Sequence, residues 1–78
     1  SMQYKNKLFI VDNDGNEHDI SKFEIGSNGE ILVKDPGVII EKGFKIITKK
    51  KGVCSQIFLV NQVTKIYNEL IVINVKEF

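Results

Sequence analysis

Seventy-eight residues, 42% of them apolar and 27% charged, suffice for one globular domain and not for two. Eleven lysines against ten acids leave a formal charge of +1, which excludes both a polybasic arm and an acidic, disordered tail. One cysteine and one histidine exclude an internal disulfide and a Cys/His metal centre built from a single chain.

Ser1 ahead of Met2 reads as a remnant of protease cleavage, so the domain is taken as 2–78. Residues 3–7 are polar and give no secretory leader. Apolar runs reach only four residues, as at Leu70 to Ile73, far short of a bilayer span. The expected setting is cytoplasmic or virion-associated, with no membrane contact and with Cys54 as an unpaired thiol.

The sequence predicts short strands in series: Lys7 to Val11, Glu17 to Ile20, Phe23 to Ile25, Glu30 to Val33, Val38 to Ile40, Phe44 to Thr48, Ser55 to Val60, Val63 to Tyr67 and Leu70 to Val75. Turn residues separate them: Asp12-Asn13-Asp14-Gly15-Asn16, Gly26-Ser27-Asn28-Gly29, Asp35-Pro36-Gly37, Lys42-Gly43, Lys50-Lys51-Gly52, and more weakly Asn61-Gln62 and Asn68-Glu69. Composition agrees. Twelve Ile and eight Val stand against four Leu and no Ala, so strand formers replace helix formers almost throughout. Leu8 and Ile10 alternate with Phe9 and Val11, and Phe44 and Ile46 alternate with Lys45 and Ile47. Ile57 to Val60 and Leu70 to Ile73 are apolar on both faces, as in strands covered from both sides, the outer cover being a loop or a second subunit.

Val63, Ile66, Tyr67, Leu70 and Ile73 also fit a helical period, but that helix would be filled with poor helix formers. Strand is the better reading there, with room for one short helical turn near Asn61 to Lys65. The fold class expected is therefore all-β, a small antiparallel barrel or sandwich.

Candidate chemistry is sparse. Asp12-Asn13-Asp14-Gly15 invites a calcium loop, but with Gly15 at position six the first and twelfth ligands would be Ile10 and Ser21. A hairpin turn explains those residues instead. His18, between Glu17 and Asp19, reads as a solvated strand residue, and Cys54 as a packing residue beside a hairpin tip. The one cysteine and the one histidine allow a Cys54–His18 dyad on paper, but no helix start stands by to lower the thiol pKa. The glycine-bearing turns lead into no helix and carry no Lys-Ser/Thr pair, so they are not phosphate loops.

Charge is divided along the chain. Residues 1–40 hold four lysines and seven acids, and residues 41–78 hold seven lysines and three acids. Lys42, Lys45, Lys49, Lys50, Lys51 and Lys65 follow one another with no acid between. They either keep a strand edge and hairpin tip soluble, or contact an anionic partner, or meet the acidic half of another copy. The lack of Arg and Trp removes the bidentate phosphate fork and the best stacking surface, so a nucleic-acid-binding barrel comes second.

The order turn glycine, strand, polar tip, strand over Val38 to Val75 resembles the small SH3-like barrel of phage head–tail connector and head-closure proteins. It runs Glu41-Lys42-Gly43, Phe44-Lys45-Ile46-Ile47-Thr48, the lysine tip, then Gln56-Ile57-Phe58-Leu59-Val60. Phe44 stands where that family usually has Asp. The resemblance implies a structural role without catalytic residues or cofactors. The expected function is a non-enzymatic structural or adaptor subunit that associates with itself or with another protein. So small a core, without disulfide or metal, favours association on stability grounds as well.

Overall fold

The computed structural model of the chain describes residues 6–67 and 69–78. Seven strands form: β1 (Lys7–Val11), β2 (Glu17–Ile20), β3 (Phe23–Ile25), β4 (Ile31–Lys34), β5 (Lys45–Lys50), β6 (Val53–Tyr67) and β7 (Leu70–Glu77). Every pairing is antiparallel, and the order β2-β1-β5-β6-β7-β4-β3 makes one curled sheet, a half-barrel. The protein is all-β. Among the described residues there is no helix, and so none long and apolar enough to cross a membrane.

Turn chemistry sets the hairpins. Between β1 and β2 the Gly15 N–H donates to the Asp12 carbonyl (3.0 Å), and the Asp12 N–H to the Asn16 carbonyl (3.0 Å). Between β3 and β4 the pattern repeats, Gly29 to Gly26 (3.1 Å) and Gly26 to Glu30 (2.7 Å). The β5–β6 tip is tighter. Lys50 pairs with Val53, and the two residues between, Lys51 and Gly52, have φ of 55° and 76°. Two positive φ angles match the right-handed twist of the flanking strands, which is why such two-residue loops favour glycine.

Strands β1, β2 and β3 span the predicted residues, but two other features differ from expectation. Segment 38–40 is not a strand. Its alternation is real, with Val38 half-buried, Ile39 exposed and Ile40 buried. However, β4, the strand that precedes it, already has β3 and β7 on its two sides, so the segment cannot fold back as a hairpin partner of β4. It packs Ile40 into the core as a loop, and Phe44, just ahead of β5, is buried beside it in the same cluster. The two strands expected on either side of Asn61-Gln62 are one fifteen-residue strand, β6. The polar pair marks a register shift between Val60 and Gln62, not a turn. No helical turn occurs at 61–65, and the helical period across 63–75 resolves into a β6–β7 hairpin.

The inner face carries the core: Leu8 and Ile10 from β1, Ile20 from β2, Ile46 from β5, Val60 from β6, Ile71 and Ile73 from β7, Ile31 and Val33 from β4. Cross-strand register lines these up, as in Ile10–Ile46–Phe58 and Ile25–Ile31–Ile73–Val63. The curl ends where the two edge strands meet. Ser21 and Lys22 alone separate Ile20 of β2 from Phe23 of β3, a reach of at most about 11 Å. The Lys34 N–H bonds the Lys22 carbonyl (3.1 Å) at that corner.

Among the described residues Thr48 is the one buried polar residue. It lies between Leu8 and Gln56 in the inner row and is 8% exposed, and its Oγ1 finds no hydrogen-bond partner among the described residues. An orphaned buried hydroxyl is unfavourable, so Thr48→Val is expected to stabilise the fold by about 1 kcal/mol in urea denaturation. Nothing lies within 4 Å of a Cβ built on Gly52, so Gly52→Ala tests the turn conformation alone. It should destabilise by about 1 kcal/mol in the same assay.

Candidate functional site

The six lysines fall at four places in the fold. Lys45 and Lys49 lie on the outer face of β5, because Ile46 and Thr48 point inward. Lys50 and Lys51 occupy the β5–β6 tip. Lys42 sits in the exposed turn before β5, whose Gly43 N–H donates to the Val60 carbonyl (2.9 Å). Lys65 lies towards the far end of β6, opposite Ile71, roughly 40 Å of strand contour from Val53. The fold thus brings four of them onto one hairpin and sets Lys42 and Lys65 apart.

Lys49 and Lys45 both have partners within the chain. The Lys49 ammonium donates to Glu17 Oε1 (2.8 Å) and stands 4.8 Å from the centroid of the Phe9 ring. The Lys45 ammonium stands 4.9 Å from the centroid of the Phe78 ring. Each lays a cation over an aromatic face on the outer side of the sheet, where such contacts are worth about 0.5–1 kcal/mol.

Beneath these lysines runs an apolar row. Phe9, Ile47 and Ile57 are in register across β1, β5 and β6; Phe9 and Ile47 are half-buried and Ile57 is 41% exposed. Val53 at the hairpin end is 68% exposed. The two-sided apolar character of Ile57 to Val60 is thus met by core on the inner side, and among the described residues no loop covers Ile57 on the outer side. The divided charge becomes a spatial pattern. Acids outnumber lysines on the flanks of the sheet, with Asp12, Asp14, Glu17 and Asp19 on the β1–β2 hairpin against Lys7, and Glu24 and Glu30 on β3–β4 against Lys34, while lysines outnumber acids on the central β5, β6 and β7.

The first hairpin holds a polar knot rather than a metal site. Asp12 Oδ1 accepts the N–H groups of Asp14 (2.9 Å) and Asn16 (3.0 Å), and Asp12 Oδ2 accepts from His18 Nε2 (2.9 Å). The carboxylate can only accept, so Nε2 carries the proton. Both carboxylate oxygens are therefore used in shaping the turn. No group of three or more His, Cys, Asp or Glu capable of holding a metal occurs among the described residues. Sequence reading placed His18 beside Glu17 and Asp19 and missed Asp12; the signal was an Asp six residues upstream, across a turn that folds back on itself. His18 and Cys54 stand on β2 and β6, with β1 and β5 between them. Exposed Cys54 turns its Sγ towards the Gln56 carbonyl (3.8 Å), so the two residues form no dyad.

The His18 hydrogen bond, followed by those from the turn backbone, holds the Asp12 carboxyl below the usual carboxylate range. A group depressed in the folded state stabilises the fold above its unfolded pKa, about 3.9 for Asp, and loses that stabilisation as pH falls through its folded value. Asp12→Asn is therefore expected to be less stable than the parent at about pH 6, with the gap narrowing by about pH 2.5. Urea midpoints at the two pH values measure it, and a constant gap counts against the assignment. Set against known protein families, curated proteins and solved structures, the chain matches none of them.

Proposed function

We propose that this chain is a non-enzymatic assembly subunit, working through contacts with further copies of itself or with another protein. One observation carries the reading: the Phe9–Ile47–Ile57 row on the outer face of the three central strands, with Ile57 left exposed among lysines. An apolar row rimmed by charge is the common anatomy of a protein contact. Acidic flanks and a lysine-bearing centre give such contacts a polarity, since the flank of one copy complements the middle of another. The β2 and β3 edges, each paired on one side only, add a second route to association.

The particle setting, a phage or phage-like head–tail junction, rests on the likeness of segment 38–75 to head-closure barrels. The alternative of a nucleic-acid interface is the weaker one. Lys45 and Lys49 are already laid over Phe78 and Phe9, Lys42 and Lys65 stand apart from the tip, and no arginine is present to grip phosphate bidentately.

Light scattering across protein concentration at low salt tests the proposal. The weight-average mass is expected to rise with concentration, and Ile57→Lys should return it to that of the monomer while the far-ultraviolet circular dichroism stays unchanged. A parent protein that remains monomeric at about millimolar concentration, far above the range of specific protein contacts, would refute self-association.

A further inference from the structure

We propose that the open end of the half-barrel is a binding site for a neutral, largely apolar small molecule carrying one hydrogen-bonding group. Where the β3–β4 hairpin stands off from β5 and β6, a cleft of about 510 Å³ opens into the inner face. Its size falls within the range of roughly 300–1,000 Å³ usual for small-molecule sites. Ile25, Ile31, Phe58 and Val75 supply apolar wall; Thr48 and Gln56, neighbours in the β5–β6 register, supply uncharged polar groups on one side, and Asn28 supplies one on the other.

Two observations define the ligand. The first is charge. The lining holds only two charged residues, Lys76 and Glu77, adjacent in sequence and opposite in sign. An ion entering the cleft would lose hydration without a net countercharge to replace it, so a neutral guest is selected. The second is Thr48. Its side chain is more than nine-tenths buried in the cleft wall, and its hydroxyl has no partner among the described residues. Buried polar groups in folded proteins are nearly always bonded. The hydroxyl is shut off from solvent as it stands, so binding requires a step between staggered χ1 rotamers to turn it into the cleft, where a guest with one donor or acceptor satisfies it. The Gln56 amide beside it offers both roles. Ile25, 60% exposed at the rim, is apolar surface that a guest would cover.

A polypeptide strand suits the cleft less well. Its only edge here is β3, three residues long, and the Ser21–Lys22 link ties β3 to β2 and closes the gap between the edges at that corner.

Titration with N-phenyl-1-naphthylamine, a neutral aromatic with one N–H donor, tests the site by its fluorescence. Saturable one-to-one binding is expected. Ile25→Glu, at an exposed position, should weaken it at least about ten-fold, and Thr48→Val about five-fold, with circular dichroism unchanged in both. Absence of saturation, or parental affinity in both variants, overturns the proposal. So does binding that disappears as protein concentration rises, which would make the cleft a contact between copies. The outcome is independent of assembly through Ile57, which lies on the outer face.

Discussion

Strand β6 has to serve two neighbours with one backbone, and the rest of the sheet depends on how it does so. Its first half pairs with β5, and from Phe58 onward it pairs with β7. Side chains alternate strictly along a regular strand, so Val60 and Val63, three positions apart, would point to opposite faces. The shift at Asn61 absorbs one residue and turns both valines to the inside. The same irregularity bends the strand, and the bend lets a single sheet curl far enough to bring β2 and β3 together at Ser21–Lys22. The inner face closes around eleven buried apolar residues, a modest core for a chain with no disulfide.

The two faces of the central strands divide the remaining roles. Inside, the apolar rows give way to polar residues at the cleft, where buried Thr48 stands beside Gln56. Outside, the Lys49 and Lys45 ammonium groups lie over Phe9 and Phe78, beside an apolar row whose Ile57 the described residues leave exposed. Lys49 joins these arrangements, since it also holds Glu17 of edge strand β2 to the face of β5, across β1. The acid-rich flank and the lysine-rich centre are thus stitched together within one molecule at the same place where they would complement another.

Local pattern made most of the fold legible. Residues such as Leu8, Ile10 and Ile46 declare their face by alternation, and the Asp-Asn-Asp-Gly and Gly-Ser-Asn-Gly turns declare their hairpins by residue type. Segment 38–40 misled because alternation reports which side chains are buried and not whether a neighbouring strand is available. Asn61-Gln62 misled because a bulge and a turn draw on the same polar residues, and only the pairing on either side separates them. The lysines were legible as a group. What was hidden was that Phe9 and Phe78, distant in sequence, would be placed beneath two of them. Thr48 was visible as the next member of the Phe44, Ile46 alternation, yet its lack of a partner follows from the surrounding rows, which no local reading supplies.

The manner of closure also governs how the chain reaches this state. β1 finds its place only beside β5, with Lys7 against Lys49, and β4 only beside β7, with Ile31 against Ile73. Two large loops must therefore be drawn in before the core has a floor, while the β5–β6–β7 meander can form from near neighbours alone. That meander is the natural nucleus, and the edge strands join late. Until they do, the inner faces of β5, β6 and β7 stand open to solvent. A slow folder with this order of events is most prone to aggregate just before its first and fourth strands arrive.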